Sequence, residues 1–281
     1  MPAAADAGPR VRVTAAARAK APASVPAADA GRRARTASEP ADPAGSAPAE
    51  LAIASTSLGA EVRVSLWSPP HARDGDDLPL LVAHDGPELD RRAGLTRFAA
   101  QQIDAGRLPP HRIALLDPGD RDQWYSASAL YARALTTRVL PAIADAVAVR
   151  QPIGMGVSLG ALAMLHAHRR FPDAFAGLFL QSGSFFVPRF DRHESGFVRY
   201  RRIVRFVRAT LRERPRRIVP VTLTCGAREE NVHNNRLMAS ALAAQGYRAR
   251  FVEGPGLHDF PAWRDMLDPH LTLLLRDVWR R

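Results

Sequence analysis

Gly156-Val157-Ser158-Leu159-Gly160 carries the chain from an apolar strand, through a serine with a glycine two residues to either side, into a helix of small residues. The pattern G-x-S-x-G is that of a nucleophile elbow. The serine sits on a strained strand-to-helix turn, and the glycines let neighbouring backbone pass without a Cβ clash. A plain helix-opening Gly-Ser turn reads the same way in a chain rich in Ala and Gly, so the surrounding sequence has to decide.

Upstream, Glu61 to Trp67 alternates polar and apolar residues and stops at Pro69-Pro70, which predicts a half-buried antiparallel strand. Leu78 to Ala83 and Arg112 to Asp117 are apolar runs of central-strand length. Between them Gly94 to Ile103 has helical spacing, and a longer helical pattern covers 126–149, with Pro141 either kinking or dividing it. Around the elbow, a strand starts near Pro152 and a helix runs from Leu159 to Arg170. Downstream come strands at Ala174 to Leu180, Ile218 to Thr224 and Arg248 to Val252, with helices at Asn231 to Gln245 and Pro261 to Val278. Strands and helices alternating at such short intervals imply an α/β fold: a mostly parallel sheet with helices on both faces.

A serine that transfers acyl groups needs a base to take its proton and an acid to orient that base, in the chain order Ser, Asp/Glu, His. The strand ending in Cys225-Gly226 is followed by Ala227-Arg228-Glu229-Glu230, where a carboxylate would project from the carboxyl edge of the sheet. Glu229 is the expected acid and Glu230 the adjacent alternative; acidic residues opening the next helix would read the same way. Of nine histidines, His258 fits the base. It lies in the glycine-rich loop Gly254-Pro255-Gly256-Leu257-His258 between the last strand and the last helix, whereas His233 and His270 fall inside helical patterns.

Gly-Val-Ser-Leu-Gly at Ser158, the run Cys225-Gly-Ala-Arg-Glu-Glu-Asn231 with Asn235 and Gly246, and Gly256-Leu-His-Asp-Phe-Pro-Ala-Trp263 together resemble an esterase family. That family contains enterochelin-esterase-like hydrolases, esterase D and secreted mycolyltransferases, and the resemblance spans roughly residues 60–280. It implies an α/β-hydrolase fold and a Ser158, Glu229, His258 triad acting on esters, with no metal or cofactor. One oxyanion donor is the amide of Leu159, the residue after the nucleophile. By the resemblance, the second comes from the loop His84-Asp85-Gly86-Pro87-Glu88, at the residue after Asp-Gly. Here that residue is Pro87, which has no N–H. Gly86 is then the expected donor, with Glu88 as the alternative. Arg121 and Tyr125, in the loop after the Arg112 strand, stand where open α/β sheets bind ligands. They are candidate substrate contacts, or Arg121 is a tether for its loop.

The formal charge is +11 and a single lysine, Lys20, accompanies the arginines. Between Arg189 and Arg217 eleven arginines face three acids, a local charge of +8. A solvated helix face accounts for this. Were the stretch 185–217 a cap over the cleft, it would favour an anionic ester. Its few aromatics suit an apolar helix face better than base stacking, so no nucleic acid is expected as a partner. Residues 1–50 are Ala, Pro, Arg and small polar residues, which predicts a disordered tail before a hydrolase domain over 51–281. No run is long and apolar enough to span a membrane, the amino terminus lacks a signal's apolar stretch, and Cys225 is the lone cysteine. A cytoplasmic serine hydrolase for a small-molecule ester is the expectation, with acyl transfer to an alcohol or a non-catalytic binding protein as alternatives.

Overall fold

The computed structural model describes residues 11–14 and 48–280. Strands β1 (Val11–Thr14), β2 (Ala49–Ser55), β3 (Ala60–Trp67), β4 (Leu78–His84), β5 (Arg112–Leu116), β6 (Val149–Val157), β7 (Gly177–Gln181), β8 (Pro220–Gly226) and β9 (Arg248–Gly254) form one sheet. Their order is β1-β2-β3-β5-β4-β6-β7-β8-β9, antiparallel from β1 to β5 and parallel from there to β9. The helices are α1 (Gly86–Ala93), α2 (Leu95–Asp104), α3 (Arg121–Tyr125), α4 (Ala129–Ala134), α5 (Leu140–Ala146), α6 (Leu159–Arg170), α7 (Tyr200–Arg212), α8 (Val232–Ala244), α9 (Phe260–Asp265) and α10 (His270–Trp279). The stretch assigned to a tail lies mostly outside the described residues; β1 and the first two residues of β2 fall within it.

The two faces of the sheet bury different helices. On β6, Ile153, Met155 and Val157 join a core with α1, α2, α9 and α10. The alternate positions, Gly154 and Gly156, face α6. A Cβ on Gly156 would stand 2.4 Å from the Gly160 carbonyl, and one on Gly154 would stand 2.8 Å from Met164 Sδ. The Ile-Gly-Met-Gly-Val alternation therefore lets α6 lie directly on the strand that feeds it. The other core gathers α4 to α8 around Val82, Leu162, Leu180 and Leu223.

Several expected elements differ at their ends, and prolines account for two of the differences. The 126–149 helix runs as α4, a π turn over Leu135–Val139, and α5, because Pro141 has no N–H to close an α-type bond. The terminal helix divides into α9 and α10 around Pro269, which an unbroken helix would not accommodate. The Arg-rich stretch was expected as a candidate cap. Its helix α7 buries Ile203, Val204 and Val207, sets Phe206 edge-on against His166 of α6 at 4.9 Å, and packs on α8. Its apolar stripe is what docks it on the body of the protein.

Four histidines are buried and held neutral. Burial lowers the pKa of His84, His111 and His168 to about 4 and that of His166 to about 3. An unfolded chain takes up protons at these rings below its ordinary 6.5, while the native protein does not. Stability present above pH 6.5 is therefore lost as pH falls toward about 4. Urea midpoints should decline continuously from about pH 7 to 5; a flat profile there would contradict the neutral, buried state of these rings.

Candidate active site

The carboxyl ends of β4, β6, β8 and β9 carry the residues singled out in the sequence. Ser158, between β6 and α6, holds φ 54° and ψ −121°, a conformation rarely tolerated by residues with a side chain. Its N–H donates to Gln181 O at 2.9 Å, and its carbonyl accepts from Ser184 N at 3.2 Å. The elbow is thus pinned to the loop after β7. That loop is fixed in turn by α8. Asn235 accepts from Gly183 N at 2.9 Å and donates to Gly183 O at 2.9 Å, and Asn231 donates to Ser182 O at 2.8 Å.

Glu229 follows β8 and His258 follows β9, and the two meet: His258 Nδ1 lies 2.8 Å from Glu229 Oε2. The second carboxylate oxygen accepts from Ser182 Oγ at 2.7 Å and from Gly226 N at 2.6 Å. Burial pushes the Glu229 carboxyl up, but the hydrogen bonds from His258, Ser182 and Gly226 outweigh it, and its pKa lies below the ordinary range. An ionised acceptor at Nδ1 keeps the proton on that nitrogen, leaving Nε2 with its lone pair. Glu230 points elsewhere; it is exposed and pairs with His193 at 3.4 Å. Among the described residues no hydrogen bond joins Ser158 Oγ to His258. The serine hydroxyl instead pairs with Ser184 Oγ at 3.1 Å.

On the opposite side, His84 ends β4 and Asp85 follows it, against the start of α6. A backbone carbonyl can only accept, so His84 Nδ1 donates to Gly160 O at 2.9 Å, and Nε2 accepts from Tyr131 Oη at 2.9 Å. Asp85, at φ 52°, precedes α1. Leu159 and Gly86 are the first residues of α6 and α1, so their N–H groups have no acceptor within their helices. Pro87 supplies none. Gly86 has to be glycine, since a Cβ there would stand 2.4 Å from Leu115 Cα.

Arg121 grips both carboxylate oxygens of Asp85 at 2.8 Å and lies over the Tyr125 ring. Tyr125 is fully buried, its hydroxyl accepting from Asp85 N at 3.3 Å. This placement is that of a tether for the β4–α1 turn, and it leaves Tyr125 no surface for a substrate. Cys225 is buried, and burial together with the Glu229 charge raises its pKa, so it stays a thiol. A cavity of about 480 Å³ lies behind the acid, between Cys225, Glu229, Leu257, Trp263 and Met266. Neither Ser158 nor His258 lines it.

Ser182, Ser184, His84 and Tyr131 were not singled out in the sequence. Their partners lie 26 to 76 residues away, and no local pattern marks them. Trp263 was quoted only as part of a motif; its indole donates to Ser182 Oγ at 3.0 Å and stands edge-on to His258 at 5.1 Å.

A family described as "Putative esterase" matches residues 55–274. Among solved structures, the enterobactin esterase FES from Shigella flexneri is similar, with 20% identity and a TM-score of 0.68, over 83% of this chain and 59% of that one. A ferulic acid esterase has 17% identity and a TM-score of 0.70, over 81% and 96% of the two chains. The fluorophosphonate-binding serine hydrolase FphF of Staphylococcus aureus has 15% identity and a TM-score of 0.60, over 82% and 98%. The chain spans about three-fifths of the length of the enterobactin esterase. These likenesses show the hydrolase fold. No curated protein matches the chain. Among the described residues, no helix is long and apolar enough to cross a membrane.

Removing one side of the Asp85–Arg121 pair leaves the other charge uncompensated. Arg121→Met should destabilise the protein by about 3 kcal/mol, read from urea unfolding, while KM for a neutral ester stays within twofold. A changed KM at unchanged stability would make Arg121 a substrate contact.

Proposed function

This chain belongs to that esterase family, and from this premise we propose that it is a serine hydrolase cleaving carboxylic esters through Ser158, His258 and Glu229. The observation that carries the reading is the 2.8 Å pair of His258 Nδ1 and Glu229, set on the same sheet edge as a serine in elbow geometry. His258 Nε2, free of a proton, takes the one on Ser158 Oγ as the oxygen bonds to the ester carbon. It then passes that proton to the departing alkoxide as the C–O bond breaks. Water repeats the sequence on the acyl-enzyme and releases the acid. Glu229 holds the imidazole tautomer and offsets the charge formed on it. The amides of Leu159 and Gly86 are the proposed donors to the oxyanion. Before attack the serine hydroxyl must exchange Ser184 for His258, since catalytic hydrogen bonds that are long in the free enzyme tighten in its complex with substrate.

The absent Ser158–His258 hydrogen bond favours one alternative, a hydrolase-fold binding protein without turnover. A fluorophosphonate probe separates the two. For an enzyme, labelling is expected on the wild type and abolished by Ser158→Ala, whereas well-folded protein that never labels would overturn the proposal. With p-nitrophenyl acetate, Glu229→Gln should lower kcat by about 10³- to 10⁴-fold, and Glu230→Gln should leave it within twofold. Enterobactin and feruloyl esters belong in the substrate panel because two of the similar proteins are named for them.

A further inference from the structure

α7 meets α6 where Phe206 stands edge-on to His166 at 4.9 Å, and the segment after α7 reaches the end of α6, where Glu213 O accepts from Arg169 at 2.7 Å. His166, Arg169 and Arg170 of α6, Thr210 of α7, and Arg214 and Arg216 beyond it line an open cavity of about 430 Å³. Only one carboxylate, Glu213, shares those walls. Among the described residues Arg170, Arg214 and Arg216 form no ion pair, whereas Arg217 next to them is bound to Asp173. Arg169 is held in place by Gln245 Oε1 at 3.0 Å and Glu213 O at 2.7 Å.

Cations in the last turn of a helix complement its dipole, which would account for Arg169 and Arg170. It does not account for Arg214 and Arg216, which line the same cavity from beyond α7.

We propose that Arg169, Arg170, Arg214 and Arg216 form a binding site for a compact phosphate-bearing anion, separate from the ester-cleaving site. Ser158 and Arg170 are twelve residues apart along α6, about 18 Å at 1.5 Å per residue, so one small ester cannot occupy both places. Guanidinium forks match phosphate oxygens bidentately. The Phe206 ring, in the same wall, would lie against an apolar part of the ligand.

Inorganic pyrophosphate is the probe, titrated calorimetrically into the full chain at about 0.15 M salt, where diffuse attraction is screened. Saturable one-to-one binding is expected. It should weaken at least tenfold in Arg170→Gln with Arg216→Gln, and not at all in Ser158→Ala. Arg201→Gln with Arg205→Gln changes the net charge equally on the outer face of α7 and should retain wild-type binding. Two results would overturn the site: no saturable binding to the wild type at millimolar probe, or equal weakening by both arginine pairs. The second would mean attraction by the overall charge of +11 alone. Circular dichroism of each variant separates loss of binding from loss of fold.

Discussion

The backbone of Ser158 is the constraint around which the rest is arranged. A residue with a side chain at φ 54° and ψ −121° carries strain of about 1–3 kcal/mol, so its neighbours have to over-determine it. Gln181 and Ser184 fix its two peptide groups, Gly156 lets β6 approach α6 closely, and Gly160 lets α6 lie against His84 and Asp85. His84 secures the first turn of α6 by its bond to Gly160 O, and Tyr131 secures His84. A proton on His84 would disturb that chain of contacts, and burial keeps one off until the pH is near 4.

A second centre is the Glu229 carboxylate. A buried charge is stable only with donors around it, and this one draws on Ser182, Gly226 and His258. Each donor binds a different part of the chain to the same point. Gly226 fixes the end of β8, Ser182 the loop after β7, and His258 the loop after β9. The requirement also explains a glycine: a Cβ on Gly226 would stand 2.2 Å from Gly256 O and 2.8 Å from Glu229 Oε1. Charge satisfaction and close packing therefore act at one place.

Much of this was legible in the sequence. Apolar runs of strand length, each followed by helical spacing, disclosed the α/β class, and chain order with loop type pointed to Glu229 and His258. What stayed hidden has physical causes. Strand β2 begins inside an Ala- and Pro-rich stretch whose composition argues against order. Helix α1 starts at Gly-Pro, a turn signal that equally opens helices. The Arg-rich stretch could not be placed by its charge, because the buried Ile203, Val204 and Val207 decide where α7 docks. Ser184 and Ser182 were invisible because side-chain pairs across distant loops leave no periodic trace.

The edge-on contact between Trp263 and His258 has a consequence for observation. A charged imidazole ring close to an indole quenches its emission, and a neutral one does so far less. Trp67 and Trp279 both adjoin His111, which stays neutral down to a pH of about 4, and Trp124 stacks on Tyr131. Above that pH, three of the four indoles are thus insulated from a titrating neighbour. The fourth, Trp263, bonds Ser182 and faces His258, so its emission reports on the packing of the loop after β9, readable in the native chain without a label.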